Sequence, residues 1–158
     1  MTPDILWLNG PFGVGKTTVA RLLAPDRHLV DPERIGAVLR RLPWWRRRDY
    51  QTIRLWRTLT VCQVRRAAQR RSVVVPMTIV DRHVLAELRR GLPAMRMVVL
   101  DAPPRVIASR ADADVDDPRA RQWRLDNLDR CVTALADPMF GDHLDADRPP
   151  VEIAKELR

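Results

Sequence analysis

Residues Gly10 to Thr17 read Gly-Pro-Phe-Gly-Val-Gly-Lys-Thr, a complete G-x-x-x-x-G-K-[ST] phosphate-binding loop. No other stretch constrains the fold as tightly, because such a loop works only as the joint between a strand and a helix. Both flanks agree. Ile5-Leu6-Trp7-Leu8 is a short apolar run of buried-strand type, and Thr17-Thr18-Val19-Ala20-Arg21-Leu22-Leu23 has helical spacing. Gly10, Gly13 and Gly15 allow positive φ and close approach of the backbone to an anion. Successive N–H groups then converge on one spot, and the helix N-terminus adds its positive dipole end. Lys16 is placed for the β- and γ-phosphates and the Thr17 hydroxyl for Mg²⁺. Composition supports a genuine motif. Among 28 basic residues only Lys16 and Lys155 are lysines, and three of the six glycines lie in this loop. The expected nucleotide site is therefore Gly10, Pro11, Phe12, Gly13, Val14, Gly15, Lys16, Thr17 and Thr18, with ATP and Mg²⁺ as the cofactors.

A chain of 158 residues, 46% hydrophobic and 30% charged, suits one globular domain with a sizeable core. No apolar run approaches the roughly 18 residues that span a bilayer, and no leader pattern is visible at Met1, so a cytoplasmic location is expected. Cys62 and Cys131 have no metal-like spacing and read as reduced, packed thiols. The net charge of +8 raises the question of nucleic acid. The arginines are spread along the chain, however, and one tyrosine and two phenylalanines offer little for base stacking. No stable nucleic-acid partner is expected.

Strands and helices alternate. Strands are predicted at Ile5–Leu8, His28–Val30, Ser72–Val75, Met97–Leu100 and, weakly, Asp142–Ala146. Helices are predicted between them. Asp31 and Pro32 provide an N-cap and a first-turn proline for one that runs to about Arg41. A long helical segment covers about Asp49 to Arg71. Its two apolar stripes, Ile53/Trp56/Thr60/Val64 and Leu55/Leu59/Cys62, predict a helix covered on two sides. Parallel βαβ units follow: an α/β three-layer sandwich with a parallel sheet of about five strands. The whole chain is read as a single domain, with an acceptor-side helical insert from about residue 32 to 71 and a short lid from about 110 to 122.

In such a sheet, ligands bind beyond the carboxyl ends of the strands. Asp31, after strand 2, is the best candidate carboxylate. It is placed to take the proton of an acceptor hydroxyl or to hold the metal, and also to cap the following helix. Glu33 lies two residues on. Strand 3 ends Val75-Pro76-Met77-Thr78, without the aspartate of a motor or switch ATPase; Thr78 is assigned either to the metal's water shell or to a simple turn. Asp101, after strand 4, reads as structural. Arg110, Arg119, Arg121 and Arg124 flank the acidic segment Ala111–Asp117, where a lid needs planar cations for phosphate oxygens. Of these, Arg124 is assigned to catalysis and Arg110 to the nucleotide base. Trp44 and Trp45, followed by Arg46 to Arg48, are either an acceptor platform or a core anchor with a solvated basic turn.

Several stretches together resemble the tunicamycin-resistance family of ATP-binding proteins, within the nucleoside-monophosphate-kinase-like group of phosphate-loop folds. They are Trp7-Leu8-Asn9-Gly10 running into the loop, Asp31-Pro32-Glu33 with Gly36, Val75-Pro76-Met77-Thr78, and Trp123…Asp126-Asn127…Arg130-Cys131. The resemblance implies an ATP-dependent phosphotransferase acting on a small-molecule acceptor, such as a uridine-containing nucleoside antibiotic. Chloramphenicol phosphotransferase and shikimate kinase are more distantly similar. In those families a carboxylate after strand 2 contacts the acceptor, which favours Asp31. The resemblance and the residues together assign Lys16, Asp31 and Arg124 to catalysis and Asp31, Glu33, Trp44, Trp45 and Thr78 to the acceptor.

Overall fold

The computed structural model describes residues 4–39, 41, 49–112, 122–123 and 125–158. Five strands form one sheet: β1 (Ile5–Asn9), β2 (His28–Leu29), β3 (Val73–Pro76), β4 (Met95–Asp101) and β5 (Asp142–Asp145). Their order is β2-β3-β1-β4-β5, and every pairing is parallel. The helices are α1 (Lys16–Leu23), α2 (Pro32–Leu39), α3 (Arg54–Ala68), α4 (Arg82–Gly91), α5 (Pro104–Asp112), α6 (Leu128–Leu135) and α7 (Pro150–Glu156). The predicted five-stranded α/β sandwich is the observed one.

The sheet is buried on both faces, so its central strands read as continuous apolar runs. Side chains alternate between two cores. Ile5, Trp7, Val73, Val75, Met97 and Val99 join Trp56 and Val64 of α3, Leu85 and Leu88 of α4, and Leu135 of α6. Leu6, Leu8, Val74, Val98 and Leu100 join Val19 and Leu23 of α1, Ile107 of α5 and Ile153 of α7. Pro76 has an orderly place in β3. The N–H groups of Val73 and Met77 donate to Asp4 and Leu8 on the β1 side, so Pro76 turns its missing donor towards β2. The last β2 pair is Leu29 with Val74, and β2 has ended by then.

Two expectations for the long helical segment change. It is broken: a 3-10 turn at Tyr50–Thr52 precedes α3, and Ile53 between them is extended. Asp49 accepts from the Gln51 N–H and stabilises that turn. Only one stripe of α3 is covered. Trp56, Thr60 and Val64 are buried, whereas Leu55, Leu59 and Cys62 face outwards. The two thiols therefore differ: Cys62 is exposed and Cys131 buried, with burial pushing the Cys131 thiol up from its ordinary pKa. Among the described residues, no helix is long and apolar enough to cross a membrane.

At the strand-start end, the Arg27 guanidinium bridges both carboxylate oxygens of Asp4, at 2.5 and 3.0 Å. The Arg27 hydrogen bond holds the Asp4 carboxyl below its usual range, against a smaller opposing effect of burial. The folded pKa is depressed, so the stabilisation is complete above about pH 4 and is lost as pH falls towards the lower folded value. Asp4→Asn is expected to melt below the wild type at pH 7, and the gap to close below about pH 3. Thermal denaturation across that range checks it; a gap independent of pH would dissociate Asp4 from the acid response.

Candidate phosphate-transfer site

The loop between β1 and α1 wraps an open N-terminus. Gly10, Gly13 and Gly15 all have positive φ, at 139°, 87° and 109°. Two of these glycines serve different ends. A Cβ on Gly10 would stand 2.6 Å from the Leu100 carbonyl oxygen, so Gly10 lets the loop lie against β4. A Cβ on Gly15 would meet nothing within 4 Å, so Gly15 leaves room for a ligand. Gly15 is also the N-cap of α1 and supplies no capping side chain. The first N–H groups of α1 thus open onto space of the kind an anion fills. The Lys16 ammonium lies along the loop, donating to the carbonyls of Gly10 (2.9 Å) and Pro11 (2.8 Å) and standing 5.6 Å from the centre of the Phe12 ring. Thr17 and Thr18 are exposed in the first turn.

A cleft of about 560 Å³ unites this loop with more distant parts of the chain. Its walls include Phe12 to Val19, Glu33, Arg110 and Arg148. That volume falls within the range of nucleotide-sized sites. Arg110 braces the cleft: its guanidinium donates to the Val14 carbonyl and the Ala146 carbonyl, both at 2.9 Å. It thereby ties the phosphate loop to the link between β5 and α7, with its edge occupied by these bonds. Arg110→Ala is expected to weaken nucleotide binding by about 1–3 kcal/mol, the scale of a stacked base. Arg110→Lys should recover little, since it restores a charge but not a plane. Calorimetric titration with ATP checks both; unchanged affinity would leave Arg110 a purely internal brace.

Asp31 stands at the end of β2 and caps α2. Its Oδ1 accepts from the Glu33 N–H at 3.0 Å. The indole N–H of Trp56 donates to the Pro32 carbonyl at 3.1 Å, which fixes the start of α2 against α3. Thr78 is 3% exposed, and its hydroxyl donates to the Gly10 carbonyl at 2.7 Å. Its own carbonyl accepts from the Gln51 side chain at 2.9 Å. Thr78 thus joins the loop, the end of β3 and the turn before α3. Asp101 lies apart from the cleft. With Pro11, Val99 and His143 it lines a separate hollow, where its carboxylate is 3.5 Å from His143 Nδ1. Trp44, Trp45, Arg119, Arg121 and Arg124 lie outside the described residues, as does most of the lid segment.

Asn9 stands in a stretch that carries the resemblance but was given no role from the sequence. It is fully buried and makes a double clasp. Its Oδ1 accepts from the Gly10 and Ile79 N–H groups, each at 2.9 Å, while its Nδ2 donates to the Ile79 carbonyl at 2.9 Å. The start of the phosphate loop is thereby pinned to the segment after β3. A buried asparagine at the end of an apolar strand was the available signal. Asn9→Ala strands three buried backbone groups and is expected to cost about 3–5 kcal/mol, read from the denaturation midpoint. A loss under about 1 kcal/mol would show that the loop stands without the clasp. Trp123 was also missed as a neighbour of the loop. Its ring meets Phe12 edge-on, with centroids 4.6 Å apart.

Mg²⁺ and ATP fit these residues. The bare N-cap and the open position at Gly15 suit a polyphosphate, and Thr17 provides a hydroxyl at its side. Among the described residues, no group of three or more acidic, histidine or cysteine side chains could hold a metal.

A phosphate loop after the first strand of a five-stranded parallel sheet, with an arginine-braced cleft at the strand ends, defines a nucleotide-phosphate-binding domain. The chain belongs to the AAA domain family, whose model matches residues 5–135. Its structure is similar to the tunicamycin resistance protein of Deinococcus radiodurans, with 27% identity, a TM-score of 0.79, and 98% of this chain and 93% of the other covered. That likeness bears out the resemblance read from the sequence. A gluconokinase from Sinorhizobium meliloti 1021 shares the fold at 21% identity and a TM-score of 0.65, over 98% and 89% of the two chains. Shikimate kinase from Acinetobacter baumannii does so at 20% and 0.66, over 99% and 91%. None of the curated protein sequences matches this chain.

Proposed function

We propose that the protein is an ATP-dependent phosphotransferase of the cytoplasm that acts on a small-molecule hydroxyl, with a nucleoside antibiotic such as tunicamycin as the first acceptor to test. The observation that carries this reading is the cleft itself, where Lys16 and the uncapped start of α1 face Arg110 and Glu33. In the reaction, Asp31 takes the proton of the acceptor hydroxyl, the new oxygen–phosphorus bond forms, and the β–γ bridge breaks to release ADP. The loop N–H groups and Lys16 stabilise charge on the transferring group. Thr17 would hold Mg²⁺, which would supply further neutralisation of the phosphates. Arg124 and Arg110 act from the lid side. Glu33, Trp44 and Trp45, within an insert from about residue 32 to 71 of a single domain, serve the acceptor together with Thr78 after β3, under a lid from about 110 to 122.

The similarity to a tunicamycin resistance protein supports this acceptor. A second reading, an ATP-gated protein that sequesters its ligand without transfer, is favoured by one observation: β3 ends without a carboxylate, and the Thr78 hydroxyl there is turned onto the Gly10 carbonyl. ADP release and product mass, measured with and without tunicamycin, separate the two. Acceptor-stimulated ADP release with a phosphorylated product supports transfer. ATP-dependent ligand binding without ADP release overturns it.

A further inference from the structure

A hollow of about 310 Å³ lies at the other end of the sheet from the nucleotide cleft, between the C-terminal end of α3 and the edge strand β2. It is lined by His28, Gln63, Arg66, Ala67, Arg70 and Arg71, and shares no residue with the nucleotide cleft. His28 opens β2, and its N–H donates to the Ser72 carbonyl at 2.7 Å. Arg71, just before β3, is anchored by a bond from Nη2 to the Pro25 carbonyl at 3.0 Å. Arg66 and Arg70 also border an adjoining open depression with Arg65 and Cys62.

No acid joins this cluster. Five arginines elsewhere are paired, namely Arg27 with Asp4, Arg57 with Glu87, Arg82 with Asp137, Arg148 with Glu156 and Arg158 with Asp26. Among the described residues, Arg65, Arg66, Arg70 and Arg71 have no carboxylate within 4 Å, and no acidic residue lines either depression. The negative end of α3 favours a cation or two in its last turn, where Arg65 and Arg66 lie. Arg70 and Arg71 follow the helix, and His28 comes from a different element, so the helix end does not account for the group. Three guanidiniums, those of Arg66, Arg70 and Arg71, around one hollow repel one another, and a polyvalent anion relieves that repulsion. Planar guanidiniums match phosphate oxygens in particular, and the Gln63 amide adds a neutral donor. No phenyl, phenol or indole ring lines the hollow, so it offers charge and donors rather than a broad stacking platform.

We propose that this hollow is a second anion site, taking a phosphate group of a ligand distinct from the nucleotide in the cleft. The chain's three histidines make the test direct. His28 lines the basic hollow, and His143 lines the hollow beside Pro11 of the phosphate loop. Histidine-ring NMR therefore reports the two ends separately. Pyrophosphate is expected to shift the His28 signal saturably, whatever it does to His143. Arg66→Gln with Arg70→Gln should weaken that response roughly fivefold to tenfold per guanidinium, with the melting temperature and the His143 response unchanged. Co-sedimentation with phosphatidic-acid vesicles, against phosphatidylcholine vesicles, forms the second arm. Saturable binding of pyrophosphate assigns a soluble phosphate ligand. Binding confined to the phosphatidic-acid vesicles and lost in the double variant assigns a lipid headgroup. Failure of both arms, or equal responses from wild type and double variant, overturns the site. So does binding of random RNA without any response to pyrophosphate or vesicles. None of these readouts depends on phosphoryl transfer, so their failure leaves the proposed enzyme untouched.

Discussion

Lys16→Ala is expected to abolish nucleotide-dependent turnover, with a loss of roughly 10³-fold, while the protein stays folded. The reason is positional. Lys16 is the cation at the start of α1, on a wall of the cleft where the N-cap supplies no side chain. Loss of one preorganised donor to the charge of a transition state commonly costs 10²–10³-fold, and Lys16 adds a full charge to its donors. In the structure its ammonium donates to the Gly10 and Pro11 carbonyls, both of which belong to the loop. The stability cost of removing it is therefore about 1 kcal/mol or less, because the Gly10 carbonyl keeps the Thr78 hydroxyl as a donor and the Pro11 carbonyl keeps the Val14 N–H. Lys16→Arg is expected to fail as well, since a planar guanidinium does not fit where a slim ammonium lies between two carbonyls. Turnover and melting temperature measured on both variants check this. Full activity in a folded Lys16→Ala protein would sink the assignment of the loop.

Asp31→Asn is expected to cut phosphoryl transfer by roughly 10²–10⁴-fold, the range of positioned proton transfer. Its melting temperature should hardly move. The structure shows the cap directly, with Oδ1 of Asp31 accepting from the Glu33 N–H, and asparagine makes the same bond. Nucleotide affinity should also hold, because the loop N–H groups and Lys16 carry most of it. Asp31→Ala removes the cap too and is expected to cost about 1 kcal/mol of stability. A residue that only caps gives the opposite contrast: Asn silent in every assay, Ala destabilising but active. Turnover and denaturation of the two variants separate these cases. An active Asp31→Asn protein would take Asp31 out of the mechanism and favour the sequestering reading.

Much of the architecture was written in short-range patterns. The phosphate loop is one contiguous octapeptide, and its three glycines all have positive φ. Apolar runs marked β1, β3 and β4 because both faces of the sheet are covered, so every position of those runs seeks a core. Asp31 and Pro32 announced the start of α2, because a cap depends on residues two or three apart. These features are local, and local chemistry is legible in order along the chain.

Contacts between distant residues were decided by the tertiary structure alone. Two stripes on α3 were equally apolar, but the space beside the sheet accepted Trp56, Thr60 and Val64 and left Leu55, Leu59 and Cys62 in solvent. Asn9 and Thr78 clasp the phosphate loop through partners 68 to 70 residues away, and Arg110 braces Val14 from a separation of 96. Asp101 ends β4, yet its carboxylate turns to His143 rather than to the cleft, because β5 pairs beside it. The basic hollow joins His28 to arginines some forty residues later in the chain, across β2 and α3. By itself the sequence determined which segments would be strands, helices and phosphate loop. Which side chains meet, and so which polar groups brace the site and which are left to face a ligand, depended on how those segments packed, since such pairings carry no periodicity along the chain.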